Sequence, residues 1–328
     1  MSARTIAPDI YQITLPTPFP VGDVHAYLLR GDPLTLVDTG VYNEASIAAL
    51  DAALAELGLQ ASDIEQIILS HGHLDHVGQA RRISEAGGAR VLAHARACAK
   101  VSDQAGYGRE AAAWMKTLLP ATGLPNELKS MVFAYYAILP RLAQDVQVEA
   151  CLEEGDEILA GGRMWQVMFC PGHSGDLICL HDADARLLIG SDHLLAHISS
   201  NALLEPPRGN SPARRLPLIE YWRSLERIEA LDIDLLLPGH GELIDDHRSL
   251  LAERREQRDR RLDRIEALTR AAPLTVWQIA ELLFPRLKQT DILLAISEVV
   301  GHLDWLLMEG RVEQVLGEVP HRYRAVRA

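Results

Sequence analysis

Three histidines and an aspartate crowd into Ser70-His71-Gly72-His73-Leu74-Asp75-His76, directly after the apolar run Ile64–Leu69. Neutral imidazole and carboxylate are the ligands that zinc takes in catalytic sites. His71 and His73 are two residues apart, so an extended backbone points both the same way. Asp75 and His76 lie in the turn or helix start beyond, where they can face a second ion. A chance cluster on a surface loop is the bland alternative, and the density of ligand types behind a strand argues against it.

Three later positions repeat the setting. His173 stands in Cys170-Pro171-Gly172-His173-Ser174-Gly175, Asp192 in Ile189-Gly190-Ser191-Asp192, and His240 in Leu237-Pro238-Gly239-His240-Gly241. Each follows a strand-like run, and tight glycine turns at strand ends let side chains converge over one sheet edge. Any of the three alone is weak, because a turn or buried histidine is common. Together with the first cluster they supply five imidazoles and two carboxylates, enough for two metal ions with open positions for water and substrate. His193 and His197 follow Asp192 closely and are candidates for lining the cleft. His25, His94, His181, His247, His302 and His321 have no partner at ligand spacing. Cys170 reads as a small apolar residue ending a buried strand rather than as a thiolate ligand.

The elements that must position these residues alternate. Ile10–Leu15, His25–Leu29 and Leu34–Val37 read as strands, rich in β-branched residues and broken by Pro, Gly and Asp. Asn43 caps a helix over Glu44–Leu57, where Ile47, Leu50, Leu54 and Leu57 recur at helical spacing. Ile64–Leu69 and Arg90–Ala93 are the next strands. Residues 96–147 break the rhythm with Ala-rich helical sequence holding Tyr107, Trp114, Phe133, Tyr135 and Tyr136. Strands return at Met164–Phe169, Leu177–Leu180, Arg186–Ile189 and Leu235–Leu237, with a helix over Arg214–Ala230. A charged helix, His247–Arg270, then connects to helices Val276–Phe284 and Asp291–Met308 and to extended runs Arg311–Leu316 and Arg322–Val326. The division predicted is a catalytic domain over 1–247 and a helical, winged-helix-like domain over 248–328.

The chain has 328 residues and a net charge of −13. The acidic excess lies in residues 1–250, with 33 acidic against 19 basic side chains. Phosphate backbones and anionic membrane surfaces repel such a charge. No apolar run approaches the roughly 20 residues of a membrane span. The opening lacks a signal-peptide apolar stretch, and Cys98, Cys151, Cys170 and Cys179 form no C-x-x-C pair. These features point to a soluble, cytoplasmic protein.

The H-x-H-x-D-H string and the later single His, Asp and His resemble, in type and order, the motifs of the metallo-β-lactamase superfamily over about residues 8–247. The resemblance implies an αββα sandwich with two divalent ions, zinc first, iron or manganese next. His71, His73 and His173 would hold the first ion, Asp75, His76 and His240 the second, and Asp192 would bridge. Asp38, in Leu36-Val37-Asp38-Thr39-Gly40, matches an early acidic motif that supports the metal loop. The implied activity is hydrolysis: a metal-bridged hydroxide attacks the carbonyl of a thioester, ester or lactone, and Asp75 orients it and accepts its proton. The tail resembles those of hydroxyacylglutathione-hydrolase-like proteins and of a β-lactamase-like endoribonuclease subgroup. Asp291, Glu298 and Asp304, with no Lys or Arg between them, disfavour RNA as substrate for the second reading. An iron sulfur dioxygenase and a scaffold with a relict site are weaker alternatives. The aromatic insertion at 96–147 is either core or a lid over the substrate, and a lid implies a carbonyl substrate with an apolar portion. Val276, Ile279, Leu282, Leu283, Leu293, Ile296, Val300, Leu303 and Leu306 must pack against the rest of the chain or a second subunit, and a homodimer is expected.

Overall fold

The computed structural model describes residues 3–207, 214–317 and 319–326, and the side chains of Tyr135, Tyr136 and Ile138 lie outside that description. The chain first lays down β1 (Ala3–Ala7), β2 (Ile10–Leu15), β3 (Val24–Leu29) and β4 (Thr35–Val37) as antiparallel neighbours. Helix α1 (Glu44–Glu56) leads to β5 (Gln66–Leu69), and α2 (Leu74–Val77) and α3 (Ala80–Gly87) lead to β6 (Arg90–His94). Helices α4 (Ala95–Ser102), α5 (Gln104–Thr122) and α6 (Asn126–Ile138) precede β7 (Ala150–Leu152). From β4 to β7 the pairing is parallel, which demands crossovers, and these helices supply them. The Asn43 cap is present: its side chain accepts from Ser46 N at 2.8 Å.

A second sheet contains β8 (Glu157–Ala160), β9 (Arg163–Phe169), β10 (Ile178–Asp182), β11 (Leu187–Ser191) and β12 (Leu235–Pro238), in spatial order β12-β11-β10-β9-β8. Helix α7 (Pro217–Glu229) carries the chain from β11 to the parallel β12. It starts at Pro217 rather than at the expected Arg214, because Pro217 takes the first helical turn, where its missing N–H costs nothing.

Period-2 alternation decides which layer each side chain enters. On β3, Tyr27 and Leu29 face the second sheet while Ala26 and Leu28 face α1 and α3; on β10, Leu180 faces the first sheet and Cys179 faces α7. Trp165, Val167, Ile178 and Ile189 complete the inner layer. The result is a four-layer α–β–β–α sandwich.

Beyond it run α8 (His247–Ala271), β13 (Leu274–Thr275), α9 (Val276–Leu283), α10 (Ile292–Met308), β14 (Val312–Val315) and β15 (Arg322–Ala325). The last strands pair antiparallel in the order β13-β15-β14. The tail's apolar residues are mostly hidden within the same chain. Ile279, Ile296, Val300 and Leu306 form one core with Met115, Leu119, Leu124 and Val132 of the insertion, with Trp114 and Phe133 packed against it. Leu282 of α9, Leu294, Leu307 and Met308 of α10, and Leu316 beyond β14 are exposed. No described helix is long and apolar enough to cross a membrane.

Candidate metal centre

The seven candidate ligands arrive from the ends of three strands and the turn between two more. His71, His73, Asp75 and His76 follow β5, His173 lies between β9 and β10, Asp192 follows β11, and His240 follows β12. All are buried except the half-buried His73. Three groups bring donor atoms within metal-holding distance: His71, His73 and His173; His71, His76 and Asp192; and Asp75, His76 and His240.

The outward nitrogens fix the tautomers. Ser70 Oγ donates to Asp38 Oδ2 at 2.7 Å, so it must accept from His71 Nδ1, 3.0 Å away. His76 Nδ1 donates to Asp38 Oδ2 at 2.8 Å, His173 Nδ1 to the Asn201 carbonyl at 2.9 Å, and His240 Nδ1 to the Asp23 carbonyl at 2.7 Å. Four imidazoles therefore carry their proton outward and aim the Nε2 lone pair inward. His73 presents Nδ1 instead, 2.8 Å from His71 Nε2 and 3.0 Å from His173 Nε2. One shared proton cannot satisfy three converging nitrogens, whereas a cation can. His76 Nε2, His240 Nε2 and Asp192 Oδ1 are buried without a hydrogen-bond partner, a costly state for polar atoms unless something binds them. This donor set fits metal ions, and its outer acceptors are those that orient metal-ligating histidines.

Asp192 spans the two clusters. Its Oδ2 lies 3.4 Å from His173 Nε2 and 3.5 Å from His240 Nε2, and its Oδ1 lies 3.5 Å from His76 Nε2. Asp75 Oδ2 stands 3.4 Å from His240 Nε2 and Oδ1 stands 3.9 Å from His76 Nε2.

The electrostatics divide the site. Burial, with the imidazoles of His76 and His73, pushes His71 well below the usual histidine value; burial, with Lys100, does the same to His73. Burial opposes protonation of His240 too, but the Asp192 and Asp75 carboxylates overcome it and raise it to about 10. His76 is raised well above normal, against burial, by Asp192, Asp38 and Asp75. Protons and cations thus compete for the same lone pairs, so acid should release metal.

Local backbone makes this convergence possible. Asp38 adopts φ 60° and Ser191 φ 45°, left-handed conformations that aspartate tolerates better than most residues. Gly239 needs no positive φ, but a Cβ there would stand 2.1 Å from Asp192 Oδ1.

His193 is buried against the Tyr221 ring, 5.4 Å between centroids, and neither it nor His197 is among the residues that line the cavity at the site. His25 is held by Thr14 and the Gly241 carbonyl, and Cys170 lies in the core.

Sequence reasoning missed the site's other wall. Lys100 is buried beside Gly72 and His73, 3.4 Å from Glu205 Oε1 and 5.0 Å from the Tyr107 ring. Its signal was present, since a lysine beside the buried Ala97 and Val101 breaks the apolar face of α4. The cavity, about 310 Å³, runs from His73, Asp75, His173, Asp192 and His240 to Phe19, Tyr107, Met115, Leu293 and Leu294. Its walls therefore come from the loop between β2 and β3, the insertion and α10 together.

A sandwich of this kind, with imidazole and carboxylate donors gathered at its strand ends, defines a class of metal-binding hydrolases. Residues 19–240 match the metallo-beta-lactamase superfamily, and the chain belongs to it as a metallo-hydrolase. It is 33% identical to the probable metallo-hydrolase YqjP of Bacillus subtilis (strain 168), over 92% of this chain and 93% of that one. The crystal structure of a metallo-beta-lactamase family protein from Thermus thermophilus superposes with a TM-score of 0.83 at 28% identity, covering 98% of this chain and 100% of that one. A shorter match, 36% identical over 30% of this chain and 33% of the relative, is to the acyl-coenzyme A thioesterase MBLAC2 of Homo sapiens.

Proposed function

We propose that this chain is a dinuclear metallo-hydrolase that cleaves a thioester or ester with an apolar acyl portion. The observation that carries the reading is the cavity, which places apolar side chains of α5 and α10 directly against the histidine and aspartate cluster. Its volume and mostly apolar lining suit a small-molecule substrate. The thioesterase relative supports the thioester over the lactone. Acidic α10, whose Glu298 and Asp304 are engaged by Arg261 and Arg214, offers a nucleic acid no cationic face.

His71, His73 and His173 would hold one ion, Asp75, His76 and His240 the other, with Asp192 between. Two such dications lower the pKa of water toward neutrality and polarise the scissile carbonyl. Burial opposes ionisation of Asp75, but His76 and His240 hold its carboxyl below the usual range, so it can accept a proton at neutral pH. Oδ2 stands 3.4 Å from His240 Nε2 and Oδ1 stands farther, 3.9 Å, from His76 Nε2, so Oδ1 would be the oxygen to take the proton from attacking water. The apolar walls hold the acyl chain and exclude bulk water from the carbonyl.

Zinc reloading with metal analysis, followed by an assay panel of long and short acyl thioesters and esters, a lactone, a phosphodiester and a persulfide, tests the proposal. Two ions per chain and turnover of the acyl substrates, lost by roughly a hundredfold or more in Asp75→Ala per bound metal pair, are expected. At most one ion, or turnover of the phosphodiester or persulfide alone, would sink it.

A further inference from the structure

Cys98 and Cys151 belong neither to the metal cluster nor to the cavity wall. Cys151 is exposed, Cys98 is half-buried, and their sulfurs lie 3.0 Å apart, about 1 Å beyond the ~2.05 Å of a disulfide. Cys170 and Cys179, by contrast, are sealed in the core. The position of the outer pair in the fold gives it consequence. Cys98 lies on α4, where the insertion leaves the sandwich; Cys151 lies on β7, where the chain returns, in register with Ala93 of β6. All of α5 and α6 lies between them. The same α4 carries Lys100, and α5 carries Tyr107, Ala111 and Met115, all of which wall the cavity.

We propose that Cys98 and Cys151 are a dithiol modification site, closed by low-molecular-weight disulfides of the glutathione type into a bond that staples the base of the cavity wall to the sheet edge. The exposed Cys151 thiolate attacks one sulfur of the small disulfide, forms a mixed disulfide and releases one small thiolate. Cys98 then gives its proton to solvent, attacks the Cys151 sulfur and expels the second small thiolate. Two protein thiols and one small disulfide become one protein disulfide and two small thiols; the protein is oxidised and the reagent reduced. Burial, with Cys151 beside it, pushes the Cys98 thiol up to about 12, so few Cys98 thiolates exist at neutral pH and the second step is the slower one. The bond removes conformations from a long loop and ties α4 to β7, which stiffens the wall that α5 provides.

The test uses the reduced, metal-loaded full chain incubated with oxidised glutathione, then thiol alkylation and peptide mapping. A transient glutathione adduct at Cys151, followed by a Cys98–Cys151 linked peptide with Cys170 and Cys179 still alkylatable after unfolding, is expected. The linked form should exchange the amide hydrogens of α5 more slowly and melt roughly 5 °C higher, and dithiothreitol should reverse both. Cys98→Ser should halt at the Cys151 adduct. A stable Cys151 adduct in the unaltered chain, linkage only after unfolding, or a linked form with unchanged α5 exchange would each overturn the proposal. None of these readouts depends on the substrate.

Discussion

Asp38 touches no donor cluster atom that faces inward, yet replacing it with asparagine should cost the second ion. Its Oδ1 accepts from Ser70 N at 2.8 Å, and its Oδ2 accepts from Ser70 Oγ at 2.7 Å and His76 Nδ1 at 2.8 Å. Asparagine fits the same volume and tolerates the left-handed backbone, so the fold should survive. If its oxygen keeps Ser70 N, its NH2 meets the His76 Nδ1 proton, donor against donor. Relief requires moving the imidazole proton to Nε2, the atom 3.5 Å from Asp192 Oδ1, which removes the lone pair that an ion needs. Losing such an outer partner weakens metal binding by about 10–100-fold, or about 1.4–2.7 kcal/mol. The first ion should change far less, because Ser70 Oγ can donate instead to Ser191 Oγ at 2.8 Å and still accept from His71. Zinc titration of the chelated protein against a competing chelator yields both constants. Two unchanged constants in a folded variant, or an equal loss in both, would refute this account of Asp38.

Gly239→Ala should displace the Asp192 carboxylate, which the new methyl would approach to 2.1 Å, and leave one ion per chain; metal analysis showing two tightly held ions would contradict it. Leu294→Trp, at a partly exposed position on the cavity wall, should lower kcat/KM for long acyl substrates relative to short ones by roughly tenfold, and an unchanged ratio would show that the chain lies elsewhere. Burial holds His302 of α10 below the usual histidine pKa, so the unfolded chain takes a proton near pH ~6.5 that the folded chain refuses. Its contribution is therefore complete above about pH 6.5 and lost as the pH falls toward the folded value. His302→Leu should flatten the acid side of a urea-denaturation stability curve, and a slope equal to the parent's would refute it.

That these seven side chains gather was legible because each one's setting is local. Two-residue spacing places His71 and His73 on one face, and glycine turns behind apolar runs mark the strand ends that carry His173, Asp192 and His240. The sandwich was legible only through the family resemblance those motifs carry, because short strand-like runs mark strands but not how two sheets stack on each other. Helix ends were less so: Pro217 set the true start of α7 against a reading that began at Arg214.

The sequence by itself determined which side chains can ligate, and roughly where strands end. Tertiary structure alone decided that His76 and His173 share Asp192, that Lys100 lies against Gly72, and that the C-terminal helix α10 walls the cavity through Leu293 and Leu294. It also brought Cys98 to Cys151 across the whole insertion. Ligand type and strand periodicity are properties of a few consecutive residues. A cavity exists only where surfaces far apart in the chain fail to fill the space between them, and no local pattern encodes that gap.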